Sequence, residues 1–286
     1  MPDSENAPSA IARIQVVRTD GSGTRQESVV VEEPLEIRIS RGSTDTNLAV
    51  TMRTPGSDLE LAAGFLWGEG IVRSPDQLIG VKVCGDRTLT PRQRANVVIA
   101  TLSPAAADVS RNLERRFTIS SACGVCGSTS LSDLHERGIT RVAATPHSAS
   151  VLAGMTSLLN GRQKIFERTG GLHAAELVDP NGLLQFVRED VGRHNAVDKV
   201  VGAALMAGKL PLAGWTLVVS GRIGYEIAQK AVAAGISALV GVSAPTSFAV
   251  ELAREFGLTL LAFARGGVAN QYSPMPDKSD DQEESE

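Results

Sequence analysis

Cys123 and Cys126 share the string Cys123-Gly124-Val125-Cys126-Gly127 and are two of the chain's three cysteines. Two thiols at this spacing can share a metal, close a disulfide or pass sulfur between them. Gly124 lies between the thiols and Gly127 follows them. Glycine opens backbone angles that other residues avoid, so such a loop can carry a reactive thiol out to a partner.

Each chemistry makes its own demands. A structural zinc site needs two further ligands. Cys84 stands alone, and His135, His147, His173 and His194 form no closely spaced pair. A zinc deaminase would show His-x-Glu and Pro-Cys-x-x-Cys. Here Ala122 precedes the pair, and His173-Ala174-Ala175-Glu176 is one residue too long. Metal is therefore disfavoured. A thioredoxin-like dithiol sits at a helix start beside a βαβ unit. This pair instead follows an expected strand at 117–120, with a helix expected only after Gly127, so the first thiol lacks the helix dipole that would favour its thiolate. Sulfur relay needs access, mobility and a donor, and a Gly-rich loop fits those needs. The other titratable candidates have plainer readings. Cys84 is expected to be a small buried or half-buried side chain, His135 a solvated one, and His147, after Pro146, part of a turn. His173 follows Thr169-Gly170-Gly171, whose glycines allow close ligand approach or form a turn, the turn being the first reading. His194 opens a helix beside Arg193 and is harder to set aside.

The elements that must hold this loop can be read from pattern. Apolar runs flank Asp20-Gly21-Ser22-Gly23 between residues 11 and 31, giving a strand, a turn and a strand. Strands are expected at 35–39, 48–52 and 97–102, with Ser57-Asp58 as the start of a helix running to Leu66. A polar helix is expected at about 130–137. The C-terminal half alternates strand and helix: strands at 183–187, 216–219, 236–242 and 258–264, with helices near 195–207, up to Ala234, and before Gly257. Gly235 is placed to stop the second of these helices. Such alternation predicts a mostly parallel sheet. The expected organisation is α/β, with disordered ends at 1–9 and 274–286, a smaller α+β region at 10–120, a mobile Cys loop at 121–128 and an α/β binding domain at 129–273.

The loops 188–194, 220–224, 243–247 and 264–268 then share one edge of the sheet, where open α/β sheets bind ligands. Three of them run into helix N-termini, whose free N–H groups attract phosphate. Arg188, Arg193, Arg222 and Arg265 add fixed charge. Arginine's planar fork suits phosphate. A phosphorylated or nucleotide-like ligand is one reading; pairing of these arginines with carboxylates such as Glu189 and Asp190 is the other.

Composition adds bounds. The 286 residues are 42% hydrophobic and 21% charged, as in an ordinary globular protein. The net charge is -4, but residues 277–286 hold six acids against Lys278, leaving the rest near neutral. No nucleic-acid partner is implied. No apolar run reaches membrane-span length, and residues 1–10 lack a signal-peptide pattern. Cytoplasm is the expected compartment, where thiols stay reduced.

Several strings, in order, carry a resemblance: Cys123-Gly124-Val125-Cys126-Gly127, Thr169-Gly170-Gly171-Leu172-His173, and Glu189-Asp190-Val191-Gly192-Arg193-His194-Asn195-Ala196-Val197-Asp198-Lys199. They continue with Ser220-Gly221-Arg222, Ser243-Ala244-Pro245-Thr246-Ser247 and Phe263-Ala264-Arg265-Gly266-Gly267. The chain resembles the formate dehydrogenase accessory sulfurtransferase family from about residue 53 to 272. The resemblance implies a sulfurtransferase that carries sulfur from a cysteine desulfurase to the molybdenum cofactor, bis(molybdopterin guanine dinucleotide), as formate dehydrogenase activity requires. It implies a cytidine deaminase-like C-terminal core without the deaminase zinc, and a homodimer. By this similarity Cys123 is the persulfide carrier and Cys126 assists. Phe263, Ala264, Arg265, Gly266, Gly267 and Val268 match the family's cofactor-binding stretch, and Arg193, His194, Ser220 and Arg222 complete the expected crevice. A chaperone that delivers cofactor without moving sulfur is the rival reading.

Overall fold

The computed structural model describes residues 9–42, 44–106 and 131–274. The Cys loop at 121–128, with Cys123 and Cys126, lies outside the described residues, as do the strand expected at 117–120, residues 1–8 and residues 275–286.

Strands β1 (Ile11–Val17) and β2 (Thr24–Val30) form the expected antiparallel ribbon. Their turn is held by the Asp20 carboxylate, which accepts from the Ser22 amide and hydroxyl at 3.0 and 2.6 Å. Next come β3 (Glu33–Arg41), β4 (Thr44–Arg53), α1 (Asp58–Gly68), β5 (Leu78–Val83), α2 (Pro91–Ala95) and β6 (Val97–Leu102). The four strands β3 to β6 make one sheet in the order β4-β3-β6-β5, with β3 and β6 parallel. Leu35, Ile37 and Ile39 alternate onto its buried face, as a half-buried strand requires. Helix α1 is apolar on every side from Leu61 to Gly68 and is buried throughout that stretch, as such a helix must be. Ser57 does precede α1, but in a left-handed conformation (φ 55°) with no side-chain cap bond. The helix start is fixed instead by Arg53, whose guanidinium donates to both Asp58 oxygens at 2.9 Å.

The chain continues through α3 (Leu131–Glu136), α4 (Ala149–Gly154), a 3₁₀ turn (Met155–Leu159), α5 (Phe166–Thr169), β7 (His173–Val178), β8 (Leu184–Asp190), α6 (Arg193–Met206) and β9 (Thr216–Val219). It ends with α7 (Tyr225–Ala233), β10 (Ala238–Gly241), α8 (Ser247–Phe256), β11 (Thr259–Arg265) and β12 (Val268–Ser273). Strands β7 to β12 build a six-stranded sheet in the order β12-β11-β10-β9-β7-β8. This corrects the expectation of a mostly parallel sheet: only the β9–β10 and β10–β11 pairings are parallel, and the pairings β11–β12, β7–β9 and β7–β8 are antiparallel. Strands β7 and β12 were not expected. The first, His-Ala-Ala-Glu-Leu-Val, has few strand-favouring residues before its last position, and the second, Val-Ala-Asn-Gln-Tyr-Ser, reads as polar. The shared edge survives the correction. Two reversals cancel, so β8 runs in the direction of β9 and its C-terminal end meets the ends of β9, β10 and β11.

Alternation splits the sheet's side chains between two cores. Leu217, Val219, Leu239, Leu260 and Ala262 join the large core with α1, α6, α7 and α8. Val218, Ala238, Val240 and Leu261 pack on Leu152, Ala153, Met155 and Leu159 of α4 and the 3₁₀ turn. Helices α1 and α6 cross backbone to backbone. A Cβ at Gly64 would lie 1.9 Å from the Asp198 carbonyl oxygen, and one at Gly202 would lie 1.8 Å from that of Glu60. That crossing fastens the N-terminal sheet to the C-terminal one.

Candidate functional site

The 189–199 string, the most distinctive in the sequence, is largely scaffold. Asp190, fully buried at the end of β8, is 2.7 Å from Lys199 Nζ and accepts from the amides of Thr54 (3.2 Å) and Gly192 (2.8 Å) and from Asn195 Nδ2 (3.0 Å). Lys199 Nζ also donates to the Thr54 and Glu189 carbonyls at 2.9 and 3.2 Å. Asp198 meets Lys230 of α7 at 2.7 Å, both buried. Buried charges persist when paired and hydrogen-bonded in this way. The network locks the β4–α1 loop, β8 and α6 together and so sets where Arg193 and His194 stand. Arg188 is scaffold too: it grips Glu60 of α1 through two bonds of 2.5 and 2.6 Å. Its partner is Glu60, and neither Glu189 nor Asp190 pairs with it. Glu189 instead accepts from the amides of Ile165 and Phe166 at 3.1 and 2.8 Å, at the start of α5.

Beyond this scaffold the sheet edge opens into a cleft of about 930 Å³, within the usual range for small-molecule sites. Its floor is Ser220 after β9 and Val242 after β10. One wall is the β11–β12 hairpin, Ala264 to Gly267; the other is Gly170, Gly171, Leu172 and His173 entering β7, with the 154–166 segment closing it. Ser220 is tied to β7 by its hydroxyl, which accepts from the Ala174 amide at 2.9 Å. The hairpin wall depends on a bulge at Phe263, which takes a positive φ of 54° while its amide donates to the Ser243 carbonyl at 3.3 Å. The bulge resets the alternation. Ala262 faces the large core and Ala264 the smaller one beside the cleft, while Phe263 turns outward, half exposed. Gly266 and Gly267 have φ of 60° and 83°, angles that favour glycine in this tight turn.

Of the expected binding residues, Ala264, Arg265, Gly266, Gly267 and Ser220 line the cleft, whereas Phe263 and Val268 flank its hairpin on the exposed side. Arg193, His194 and Arg222 stand just past the His173 wall, at the starts of α6 and α7. A Cβ on Gly221 would be 3.1 Å from His173 Nδ1 and 3.7 Å from Arg193 Cβ. The caps of α6 and α7 are Gly192 and Gly224, and neither offers a side chain to the first-turn amides; this favours an anion at α6, whereas at α7 the Glu226 carboxylate already lies over the cap and accepts from its own amide. The third expected helix start differs: Thr246 caps α8 by accepting from the Ala249 amide at 3.3 Å. His194 Nε2 lies 3.6 Å from Glu226 Oε2, and this pairing holds Glu226 at about 2, far below the usual glutamate value.

Reading the sequence missed His173 as a site residue. It is half-buried in the cleft wall, and its pKa is lowered by burial first and then by Arg193, His194 and Arg222. It therefore presents a neutral imidazole beside a cluster of arginines. The Thr169-Gly170-Gly171 string was the available signal, and its glycines do permit close approach: a Cβ on Gly171 would sit 3.2 Å from Val30 Cγ1 of β2. The wall at 154–166 left no motif. Cys84 is buried against Val97 and Ile99, as expected. Cys123 and Cys126 lie outside the described residues.

The chain is 45% identical over 260 residues to the sulfur carrier protein FdhD of Streptomyces avermitilis, covering 90% of this chain and 91% of that one. It is 44% identical over 268 residues to the sulfur carrier protein FdhD of Mycobacterium tuberculosis, covering 91% and 95%. Among solved structures it matches a putative formate dehydrogenase accessory protein from Desulfotalea psychrophila with a TM-score of 0.70 at 22% identity, over 92% of this chain and 95% of that one. That likeness supports the mixed α/β fold. Residues 30–278 match the FdhD/NarQ family, and the chain belongs to it.

Proposed function

We propose that this member of the FdhD/NarQ family is a sulfur carrier that serves formate dehydrogenase by sulfurating its molybdenum cofactor. The observation that carries the reading is the cleft at the sheet edge, with its glycine hairpin, Arg265, neutral His173 and the uncapped start of α6 beside it. Such a site suits the phosphates and base of a guanine dinucleotide. The names of the relatives supply the sulfur chemistry.

In this reading bis(molybdopterin guanine dinucleotide) is the substrate and the cleft binds one of its nucleotide arms. Arg265, Arg193 and Arg222 offset phosphate charge, and Ser220 and the 264–267 backbone bound the site. The Cys123 thiolate attacks the outer sulfur of a persulfide on a cysteine desulfurase. The donor's S–S bond breaks, its thiolate leaves, and a new S–S bond forms on Cys123. Cys126 assists by attacking the Cys123 sulfur of that persulfide: the outer S–S bond breaks, the outer sulfur leaves as sulfide for the bound cofactor, a Cys123–Cys126 disulfide forms, and a cellular thiol reductant restores both thiols. The same reading takes the protein as a cytoplasmic homodimer with a cytidine deaminase-like core, whose partners are the desulfurase and formate dehydrogenase. In cells lacking the native carrier, Cys123→Ala should leave formate dehydrogenase inactive while the purified variant still binds guanosine diphosphate. Full formate dehydrogenase activity with that variant would overturn the assignment.

A further inference from the structure

Glu176 is the most anomalous side chain in the described structure. It sits in the middle of β7, is fully buried, and neither carboxyl oxygen has a hydrogen-bond partner among the described residues. Buried polar groups are almost always paired, so an orphaned carboxyl calls for an explanation.

Register places it. Glu176 lies opposite Val218 on β9 and Val187 on β8. Val218 belongs to the smaller core, together with Ala174 and Val178, two residues to either side of Glu176. Its side chain therefore lies on the face covered by the segment 155–169. Met155 and Leu159 of that segment pack on these same neighbours. The same segment lines the cleft through Thr156, Ser157, Leu159, Asn160, Gln163 and Phe166. One short stretch is thus the ceiling over Glu176 and a wall of the binding site. It is held to the sheet by few bonds; Glu189, on the same face of β8, accepts from two of its amides.

We propose that Glu176 is a positioning residue for the cleft: as a neutral acid it lets the 155–169 segment lie flat on the sheet, and its ionisation lifts that segment and disassembles the wall. The charged and titratable groups around it are few. Arg162 on the covering segment is the charge that acts on it, and Glu189 of β8 is committed to its two amides. Strand β9 offers only the Thr216 hydroxyl, itself buried and unpartnered. Among the described residues no cation is bonded to the carboxylate, so ionisation has to recruit water or draw Arg162 inward. Either movement displaces residues that line the cleft. Burial pushes the Glu176 pKa up to about 8, which puts the transition within reach of ordinary buffers.

The test uses wild-type protein and Glu176→Gln, the neutral isostere, with two readouts from about pH 6.5 to about pH 9.5. Backbone hydrogen exchange over 155–169, corrected for intrinsic rates, should lose protection through about pH 8 in wild type and stay level in the variant. Guanosine diphosphate should bind wild type about tenfold more weakly at pH 9 than at pH 7, as a falling competent fraction requires, and the variant equally at both. A variant that follows wild type in both readouts would overturn the proposal. So would a carboxyl-carbon NMR titration of wild type that places Glu176 near the ordinary glutamate value, a measurement independent of whether the variant folds. The affinity readout rests on the nucleotide reading of the cleft; the exchange readout does not. Absence of guanosine diphosphate binding at every pH would defeat that reading while exchange still decides the role of Glu176.

Discussion

Replacing Gly202 by alanine tests how the two halves of the molecule are joined. The new methyl carbon would stand 1.8 Å from the Glu60 carbonyl oxygen, 2.7 Å from its carbon and 2.8 Å from the Gly64 amide nitrogen. Favourable contacts begin near 3.5 Å, so the shortfall is roughly 1.7 Å. Every atom it meets is backbone in the middle of α1, so no side chain can rotate aside. The helices must separate, and overpacking of this kind costs about 3 kcal/mol or more. Alanine returns about 1 kcal/mol through its helix propensity, which leaves a net loss of about 2 kcal/mol. Gly154→Ala is the control: it too is helical, but its new Cβ meets nothing within 4 Å, so it should be neutral or stabilising by up to about 1 kcal/mol. Urea unfolding followed by far-UV circular dichroism compares both variants with wild type. A Gly202→Ala variant as stable as wild type would refute the backbone-to-backbone crossing.

Three further outcomes follow from the same structure. Lys199→Met leaves Asp190 buried without its cation and should lower stability by about 3–5 kcal/mol in urea unfolding. Glu176 has a folded pKa of about 8 against an ordinary 4.5. A carboxyl raised in this way favours the unfolded chain increasingly as pH climbs from the lower value to the higher. Glu176→Gln should therefore stabilise by less than about 1 kcal/mol at pH 5 and by about 4 kcal/mol at pH 8, measured by unfolding at each pH; an equal effect at both would contradict the burial argument. Arg265→Ala should weaken guanosine diphosphate binding about tenfold by calorimetry, the loss of one charge-assisted contact, and unchanged affinity would count against the cleft.

Much of the C-terminal half was legible because its signals are local. Gly235 and Gly257 do take positive φ after α7 and α8, and β9, with four consecutive apolar or β-branched residues, begins and ends where its pattern says. Strand β7 was hidden because its composition argues weakly for any element and its place between β9 and β8 is set by tertiary pairing. The arginines were found by type, but type does not reveal partners. Arg188 looked like a phosphate ligand until Glu60, 128 positions away, proved to hold it. His173 belongs to the site only because β7 reverses and brings its first residue to the cleft edge. The bulge at Phe263 was equally invisible, since a single positive φ on an aromatic residue leaves no pattern in a sequence.

The most direct test of the central claim is persulfide mapping. Purified protein is incubated with a cysteine desulfurase and cysteine, alkylated, digested and analysed by mass spectrometry. One added sulfur, removable by reductant, should appear on the peptide holding Cys123 and Cys126 and be lost in Cys123→Ala. No added sulfur in a protein that still binds guanosine diphosphate would contradict the account and leave a cofactor-delivering chaperone in its place.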